Sequence, residues 1–450
     1  MTYSIFLTFY EFIKFADPTY HLPLAVFLSI LWRIEDVDLR RVAVTGFGVV
    51  SPIGTGREAF WGSLSRGISG ISRITHFDAS TFEVQLAGEV KEELVLPEPV
   101  LSVSSEDPKV GFAYEACTEA LFHAGIVNMD DRTLLHIGTS LEIFNLKKVV
   151  HQGKSDFKAV VVQSLKGNGP PLQMPLDIAS NLIAKKFGRP GQVLTNCSAC
   201  AAGAQAIGHG FHAIRSGRFE VAVCGGFDSM INPLGVGGFQ LLGALTTDNT
   251  RGARACRPFD SSRRGTVLGE GAAIVVLEPL EKAKAEGKEI LAEMSGFGST
   301  LDAYNLSAPD PEGDGAAQAM TQALRDAGIS PPEVHHINTH GTGTQLNDEV
   351  EAKAIRRLFA DTWKKIPVTA TKSMTGHLIA AAGPVELGAC LLVLHKGVLP
   401  PNASLERVGQ GCELNHVSQP GARFKGEYVL TNSFGFGGQN ASLVLRKYHG

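Results

Sequence analysis

The sequence is poor in cysteine and has no excess of positive charge. Seven cysteines are scattered over 450 residues, which is too few and too dispersed for a disulfide scaffold, so a reducing, cytoplasmic compartment is expected. Lysine plus arginine number 41 against 45 aspartate plus glutamate, for a net charge of −4. The basic surplus that neutralises nucleic-acid phosphates is therefore missing, and a nucleic-acid partner is not expected.

The N-terminal region lacks an apolar run long enough to cross a membrane. Residues 1–39 differ from the rest of the chain, with apolar, aromatic stretches at 5–15 and 22–32 that Asp17 and Pro18 separate. Each is shorter than the roughly 20 residues of a spanning helix, and no basic start or small-residue cleavage site flanks them. We interpret 1–39 as an apolar extension, with a true start at Val37 as the favoured explanation and a signal or anchor as the alternative.

The composition is that of a globular protein rich in tight turns. Hydrophobic residues make up 44% and charged residues 19%, with 50 glycines, which excludes a fibrous or disordered chain. Short β-branched runs at residues 41–50, 134–139 and 221–226 alternate with alanine-rich amphipathic segments such as 107–124. This alternation predicts an α/β fold with buried sheets.

The second part of the chain repeats features of the first. His-Ile-Gly-Thr-Ser at 136–140 is echoed by His-Ile-Asn-Thr-His at 336–340, each at the end of a predicted strand. Each is followed by a segment of small apolar residues, at 199–210 and at 376–389. Alanine and glycine on every face indicate helices that are buried where backbones approach closely. A duplicated architecture is therefore predicted.

Cys200 is the predicted nucleophile. It lies where a predicted strand, residues 192–195, turns into the first small-residue helix. A helix N-terminus presents unpaired N–H groups and the positive end of the dipole, which favours a thiolate over a thiol. Cys197 and Cys200 also form a C-x-x-C pair, but no second pair completes a tetrahedral metal site in the sequence. Neither a metal site nor redox chemistry is expected.

Two histidines and a glycine loop are candidate partners for this cysteine. His340 follows an apolar strand and begins His-Gly-Thr-Gly-Thr, and His377 opens the second small-residue helix. Together they suit a site in which two N–H donors face one developing anion, such as an enolate. Residues 432–440 place two aromatic rings in a glycine loop, whose backbone N–H groups can point into a site.

Four stretches together resemble the signature motifs of type II β-ketoacyl-acyl-carrier-protein synthases. They are Ser-Ala-Cys-Ala-Ala-Gly around Cys200, His-Gly-Thr-Gly-Thr from His340, Lys-Ser-Met-Thr-Gly-His from Lys372 to His377, and Asn-Ser-Phe-Gly-Phe-Gly-Gly from Asn432. The resemblance covers about residues 41–447 and implies the thiolase fold, a five-layer α/β/α/β/α body. Its two similar halves would be residues 40–290, with the cysteine, and 291–450, with both histidines.

The resemblance also implies a reaction. Cys200 would take an acyl group from a phosphopantetheine thioester, and malonyl carrier protein would then lose carbon dioxide and attack that group. His340 and His377 would stabilise the enolate, while Lys372 and Glu386 would organise the charges around them.

The remaining roles follow from the same resemblance. Backbone N–H groups of Cys200 and Phe436 would form the oxyanion hole, with Phe436 also gating the acyl pocket. Thr342 and Thr344 would bind the pantetheine arm. Acyl carrier protein is the expected partner and a homodimer the expected assembly, and no metal or other cofactor is expected.

The sequence departs from the fatty-acid members of this family at three places. Gly-Thr-Gly-Thr at 341–344 is more typical of polyketide-type relatives, Arg264 stands where an acidic residue is common, and residues 138–144 lack a glycine-rich run. A polyketide or polyene synthase is therefore the nearest alternative. A noncatalytic chain-length-factor-like subunit would lack Cys200, and a degradative thiolase would need a second catalytic cysteine, for which Cys412 lies outside the glycine-rich motif.

Overall fold

The computed structural model describes residues 39–141, 150–151, 154–155 and 175–450. The predicted extension lies outside these residues apart from Leu39. The strands are β1 (Val42–Ser51), β2 (Gly54–Thr55), β3 (Ile71–Arg73), β4 (Leu86–Gly88), β5 (Thr133–Gly138), β6 (Val150–His151), β7 (Lys154–Ser155), β8 (Gln192–Asn196), β9 (Val221–Asp228), β10 (Gly271–Pro279), β11 (Ala292–Leu301), β12 (Val334–Asn338), β13 (Pro367–Thr369), β14 (Val398–Leu399), β15 (Asn415–His416), β16 (Ala422–Arg423), β17 (Tyr428–Gly435) and β18 (Gln439–Arg446).

Helices are interspersed with these strands as the alternating pattern predicts. They are α1 (Arg57–Leu64), α2 (Val100–Ser104), α3 (Pro108–His123), α4 (Ile178–Phe187), α5 (Ala202–Arg215), α6 (Pro233–Leu241), α7 (Leu280–Ala285), α8 (Asp314–Ala327), α9 (Gln345–Phe359), α10 (Lys372–Thr375) and α11 (Ala382–Lys396). Short 3₁₀ helices occupy Ala199–Ala201, Asn249–Arg254, Pro331–Glu333, Ala360–Lys365, Ile379–Ala381 and Phe436–Gly438.

One sheet runs through the molecule and consists of two equivalent halves. Its order is β15-β13-β12-β17-β18-β11-β1-β10-β9-β5-β8, and β1 pairs with β11 at the junction. On one side, β1, β10 and β9 are antiparallel neighbours, and β9, β5 and β8 follow in parallel. On the other side, β11, β18 and β17 are antiparallel, and β17, β12 and β13 are parallel. The predicted duplication is confirmed.

The two long strands at the junction share a glycine pattern. The register shifts after Val44 in β1 and after Met294 in β11. A Cβ atom on Gly46 would lie 2.1 Å from Ala120 O of α3, and one on Gly296 would lie 2.2 Å from Ala323 O of α8. Both strands therefore pack directly on the backbone of an outer helix.

The helices complete five layers. Helices α3 and α8 cover the outer faces of the two half-sheets, and α5 and α11 pack against each other between them. A Cβ atom on Gly203 would lie 2.4 Å from Pro384 Cγ, so small residues permit this contact. Among the described residues, one stretch, Ile379–Lys396, is apolar and long enough to span a membrane, but 89% of it is buried inside the protein. The architecture is the thiolase fold.

The halves differ most in how their central hairpins are joined. Strands β17 and β18 are separated only by Phe436–Gly438, whereas β9 and β10 are separated by residues 229–270. This long insertion includes α6 and returns to β10 through Glu270, whose side chain is fully buried. It places additional side chains beside the end of β17.

Candidate active site

Cys200 lies at the centre of the 3₁₀ turn that precedes α5. Ala199, the first residue of this turn, has a φ of 49°, a left-handed conformation that is strained for a residue with a side chain. Cys200 is only 3% exposed, and it lines a cavity of about 660 Å³. The turn therefore fixes the thiol at the inner end of a cavity.

Two backbone N–H groups act on the cysteine sulfur. Those of Phe436 and of Cys200 itself each lower the pKa of the Cys200 thiol, against the effect of burial. Gly435 allows this approach, because a Cβ atom there would lie 3.0 Å from the backbone N of Cys200. Two N–H groups from different halves of the fold can thus meet an oxygen that develops negative charge next to the sulfur.

The thiolate is not favoured in this environment. Burial raises the pKa of Cys200 to about 12, while the positive charge of Lys372 and the N–H of Phe436 act in the opposite direction. Desolvation of the buried sulfur therefore opposes the thiolate that the helix N-terminus was expected to favour.

The hydrogen bonds of the two histidines fix their tautomers. Lys372 Nζ lies 3.3 Å from His340 Nδ1, and an ammonium group can only donate, so this Nδ1 accepts. The N–H of Ile379 donates to His377 Nδ1 at 3.2 Å. Burial, together with the charge of Lys372, lowers the pKa of both imidazoles well below 6.5. Both rings are therefore neutral and carry their proton on Nε2.

The two rings stand close together. Their centroids are 5.2 Å apart at an interplanar angle of 81°, and both residues line the cavity with Cys200. Among the described residues, no hydrogen-bond partner is recorded for either Nε2. The site thus has two neutral N–H donors available to one anionic group.

A buried ion pair lies behind the histidines. Lys372 Nζ is 2.5 Å from Glu386 Oε1 and 2.6 Å from the carbonyl oxygen of His340, and both side chains are at most 2% exposed. Burial raises the pKa of Glu386 to about 7, against the effect of Lys372. The ammonium group fixes the orientation of His340 without lining the cavity itself.

Two carboxylates that the sequence reasoning missed hold the glycine-rich loop after His340. Glu351 accepts the N–H groups of His340 and Gly341, each at 2.8 Å. Asp348 accepts those of Thr342 at 3.1 Å and Gly343 at 3.2 Å. The sequence signal was their three-residue spacing on one face of the helix that follows the loop.

The predicted residues gather around one cavity. Cys200, His340, Thr342, Thr344, His377 and Phe436 line it, and Lys372 and Glu386 lie behind it. The hydroxyls of the two threonines are 2.8 Å apart. Phe436 and Phe239 have ring centroids 6.0 Å apart, so the glycine loop contacts the long insertion of the other half.

The other cysteines do not join this group. All seven lie within the described residues and none forms a disulfide. Cys197 is exposed and its thiol donates to the carbonyl of Ser140, while Cys412 is buried and does not line the cavity. The C-x-x-C pair is therefore not oxidised to a disulfide in this structure.

Comparisons with known proteins agree over most of the chain. Family models described as the N-terminal and C-terminal domains of beta-ketoacyl synthase match residues 39–283 and 291–406. The 3-oxoacyl-[acyl-carrier-protein] synthase 2 of Coxiella burnetii is 37% identical over 420 residues, 91% of this chain and 99% of that protein. The protein of the same name from Synechocystis is 36% identical, with 92% and 100% covered.

Solved structures give the same result for the fold. The ishigamide ketosynthase/chain length factor superposes with a TM-score of 0.79 at 33% identity, covering 91% of this chain and all of that one. A type II polyketide ketosynthase in complex with its acyl carrier protein superposes with a TM-score of 0.80 at 30% identity and the same coverage.

Proposed function

The chain belongs to the β-ketoacyl synthase family, and from this premise we propose that it is a 3-oxoacyl-acyl-carrier-protein synthase that elongates fatty acyl chains. One observation carries the proposal. The backbone N–H groups of Cys200 and Phe436 lower the pKa of the Cys200 thiol, and Cys200 shares a cavity with two histidines whose Nε2 atoms are protonated. This donor set matches a reaction with two anionic oxygens, one on an acyl carbonyl and one on an enolate.

In the first step, Cys200 Sγ attacks the acyl thioester. The S–C bond to the enzyme forms, the carbonyl oxygen takes up negative charge between the N–H groups of Cys200 and Phe436, and the pantetheine sulfur leaves. The proton that the Cys200 thiol gives up ends on the departing pantetheine sulfur. Covalent capture holds the acyl group while the donor is exchanged.

In the second step, the malonyl group loses its carboxylate. The bond to carbon dioxide breaks, and its electron pair forms an enolate whose oxygen accepts the Nε2–H groups of His340 and His377. The enolate carbon then attacks the acyl carbonyl, the new C–C bond forms and Cys200 leaves as a thiolate that takes up a proton. Thr342 and Thr344, at the cavity wall, hold the pantetheine arm during both steps.

We propose that acyl carrier protein docks over the cavity mouth. Leu242, Leu306 and Leu346 line the cavity and are 56%, 85% and 59% exposed. The protein that delivers the arm has to cover this rim, because the arm must enter here to reach Cys200. Docking of a partner over these exposed leucines removes apolar surface from water, which favours binding.

A homodimer is proposed from the edge of the sheet. Among the described residues, strand β8 pairs with β5 on one side and has no strand on the other, and its Val193 and Leu194 are each 38% exposed. An apolar edge strand is a template for pairing with a second copy.

Three further expectations from the sequence stay proposals. The protein acts in the cytoplasm, and its two halves divide between residues 290 and 291. The reaction proceeds without a metal or other cofactor.

A polyketide or polyene synthase is the second candidate, favoured by the Gly-Thr-Gly-Thr loop at residues 341–344. The curated relatives named above favour fatty-acid elongation at 36–37% identity. Condensation of malonyl carrier protein with a panel of saturated and polyunsaturated acyl carrier proteins, followed by mass spectrometry, separates the two. Saturated products that disappear in Cys200→Ala support the proposal, products from polyunsaturated donors alone support the second candidate, and no product from any donor contradicts both.

A further inference from the structure

The residues on both sides of Arg264 are hydrogen-bonded to the loop that follows His340. Its neighbour Arg263 is buried and donates to the carbonyl oxygens of Thr344 at 3.1 Å and Gln345 at 3.2 Å. On the other side, Gly265 N donates to Gly343 O at 3.0 Å. The backbone at 264 is therefore fixed against the predicted pantetheine-binding loop, while the side chain of Arg264 is exposed.

Arg264 is a cation without a counter-ion among the described residues. No hydrogen bond or ion pair is recorded for it there, although the adjacent Arg263 pairs with Glu349 at 2.7 Å. Among the described residues that line the cavity, Arg264 is the only lysine or arginine, and Asp302 is the only aspartate or glutamate. Asp302 is occupied, because it accepts Asn440 Nδ2 at 2.6 Å and Asp310 N at 3.1 Å.

We propose that Arg264 binds the phosphate group of the phosphopantetheine arm. The inference rests on the proposed function, which brings this arm into the cavity with its thioester at Cys200. The phosphate is the charged group of the arm and lies at the end opposite to the thioester. Arg264 is an exposed residue of the cavity wall, whereas Cys200, where the thioester reacts, is only 3% exposed. A guanidinium group binds phosphate oxygens through two parallel N–H groups.

The test compares two small donors that differ only in the phosphate group. Acyl-pantetheine and acyl-4′-phosphopantetheine are offered to the wild type, Arg264→Ala and Arg264→Lys, and kcat/KM for acylation of Cys200 is measured. Arg423→Ala is the matched control, because Arg423 is exposed and does not line the cavity. The wild type and the control should prefer the phosphorylated donor by about tenfold.

The preference should fall to about 1 in Arg264→Ala, through a change in KM, and should return in part in Arg264→Lys. An equal preference in wild type and Arg264→Ala overturns the inference. So does an effect of Arg264→Ala that is seen only with donors attached to carrier protein, because Arg264 would then recognise the carrier.

A binding measurement separates failure of this inference from failure of the proposed function. Phosphopantetheine and pantetheine are titrated calorimetrically into Cys200→Ala, with and without Arg264→Ala. Absence of acylation in every protein contradicts the proposed function, whereas tighter binding of phosphopantetheine that depends on Arg264 still supports the phosphate site. Equal affinity for the two ligands in Cys200→Ala overturns it.

Discussion

The two halves of the fold place the same strained turn before their central helices, but only one turn has a nucleophile. Ala199 has a φ of 49° and Ile379 has a φ of 48°, and each begins a 3₁₀ helix of three residues. The central residue is Cys200 in one turn and Ala380 in the other. The strained backbone is therefore a property of the duplicated fold and not of the chemistry alone.

The strand end that faces each turn explains the difference. Asp228, the last residue of β9, accepts the N–H of Ala380 at 3.1 Å. At the equivalent end of β17 stands Gly435, which has no side chain that could accept the N–H of Cys200. One carboxylate thus satisfies the N–H in one half, and a glycine keeps it available in the other.

The insertion between β9 and β10 adds a second difference. It contributes Phe239, Leu242 and Arg264 to the cavity wall, so the cavity opens over the turn that contains Cys200. The short connection between β17 and β18 supplies Phe436 from the opposite half. The long β9–β10 insertion and the short β17–β18 connection therefore place side chains from both halves around a single site.

The largest effect is expected when a carboxylate is placed at the strand end that faces Cys200. Gly435→Asp places an acceptor next to the N–H of Cys200 and should lower the acylation rate by about 10²–10³-fold, the usual cost of losing one oxyanion donor. Gly435→Ala should have a smaller effect in the same direction, because its Cβ would lie 3.0 Å from Cys200 N. Single-turnover acylation measures both.

Gly62→Ala is the matched control for this pair. Gly62 lies in α1, and a Cβ atom there would meet nothing within 4 Å. Its acylation rate should equal that of the wild type. A wild-type rate in Gly435→Asp would show that the N–H of Cys200 has no part in acyl transfer.

Removing the carboxylate that faces Ala380 should lower stability and leave the chemistry intact. Asp228→Ala leaves the buried N–H of Ala380 without its acceptor, so the free energy of unfolding should fall by about 1–3 kcal/mol. The acylation rate of the folded protein should remain within about threefold, since Asp228 does not line the cavity. Denaturant unfolding and single-turnover kinetics on the same preparation test this, and a loss of rate comparable to that of Gly435→Asp would contradict the comparison.

The smallest effect is expected for the hydrogen bond between His76 and Glu270, the last residue of the long insertion between β9 and β10. His76 Nε2 is 2.7 Å from Glu270 Oε1, and this hydrogen bond raises the pKa of His76. The pair therefore stabilises the fold fully below the unfolded histidine pKa of about 6.5, and the stabilisation is lost as pH rises through the raised pKa.

His76→Gln should accordingly lower the Tm more at pH 6 than at pH 9. The difference should be below about 2 °C, because the imidazole is 36% exposed and solvent screens the pair. Thermal unfolding at the two pH values measures it. An equal loss at both would mean that the charge of His76 makes no contribution.

Much of the fold and the catalytic group could be predicted from the sequence, because both leave local signals. The repeated strand ends before small-residue helices predicted the two halves, and the motifs around Cys200, His340 and His377 predicted residues that line one cavity.

Properties that depend on burial and on distant partners could not be predicted. The pKa of Cys200 follows from desolvation by residues far apart in sequence, and the helix N-terminus alone indicated the opposite direction. The roles of Asp348 and Glu351 depend on the path of the loop before α9. That Arg264 has no counter-ion among the described residues is visible only when its neighbours are placed around it.

The most direct test of the central claim is to locate the acyl group after one turnover. Wild-type protein is incubated with an acyl donor, digested and mapped by mass spectrometry, with Cys200→Ala in parallel. The account predicts the acyl group on Cys200, none on the exposed Cys197 three residues earlier, and no adduct in the variant. An adduct on Cys197, or an adduct that persists in Cys200→Ala, would contradict the assignment of the nucleophile to the turn before α5.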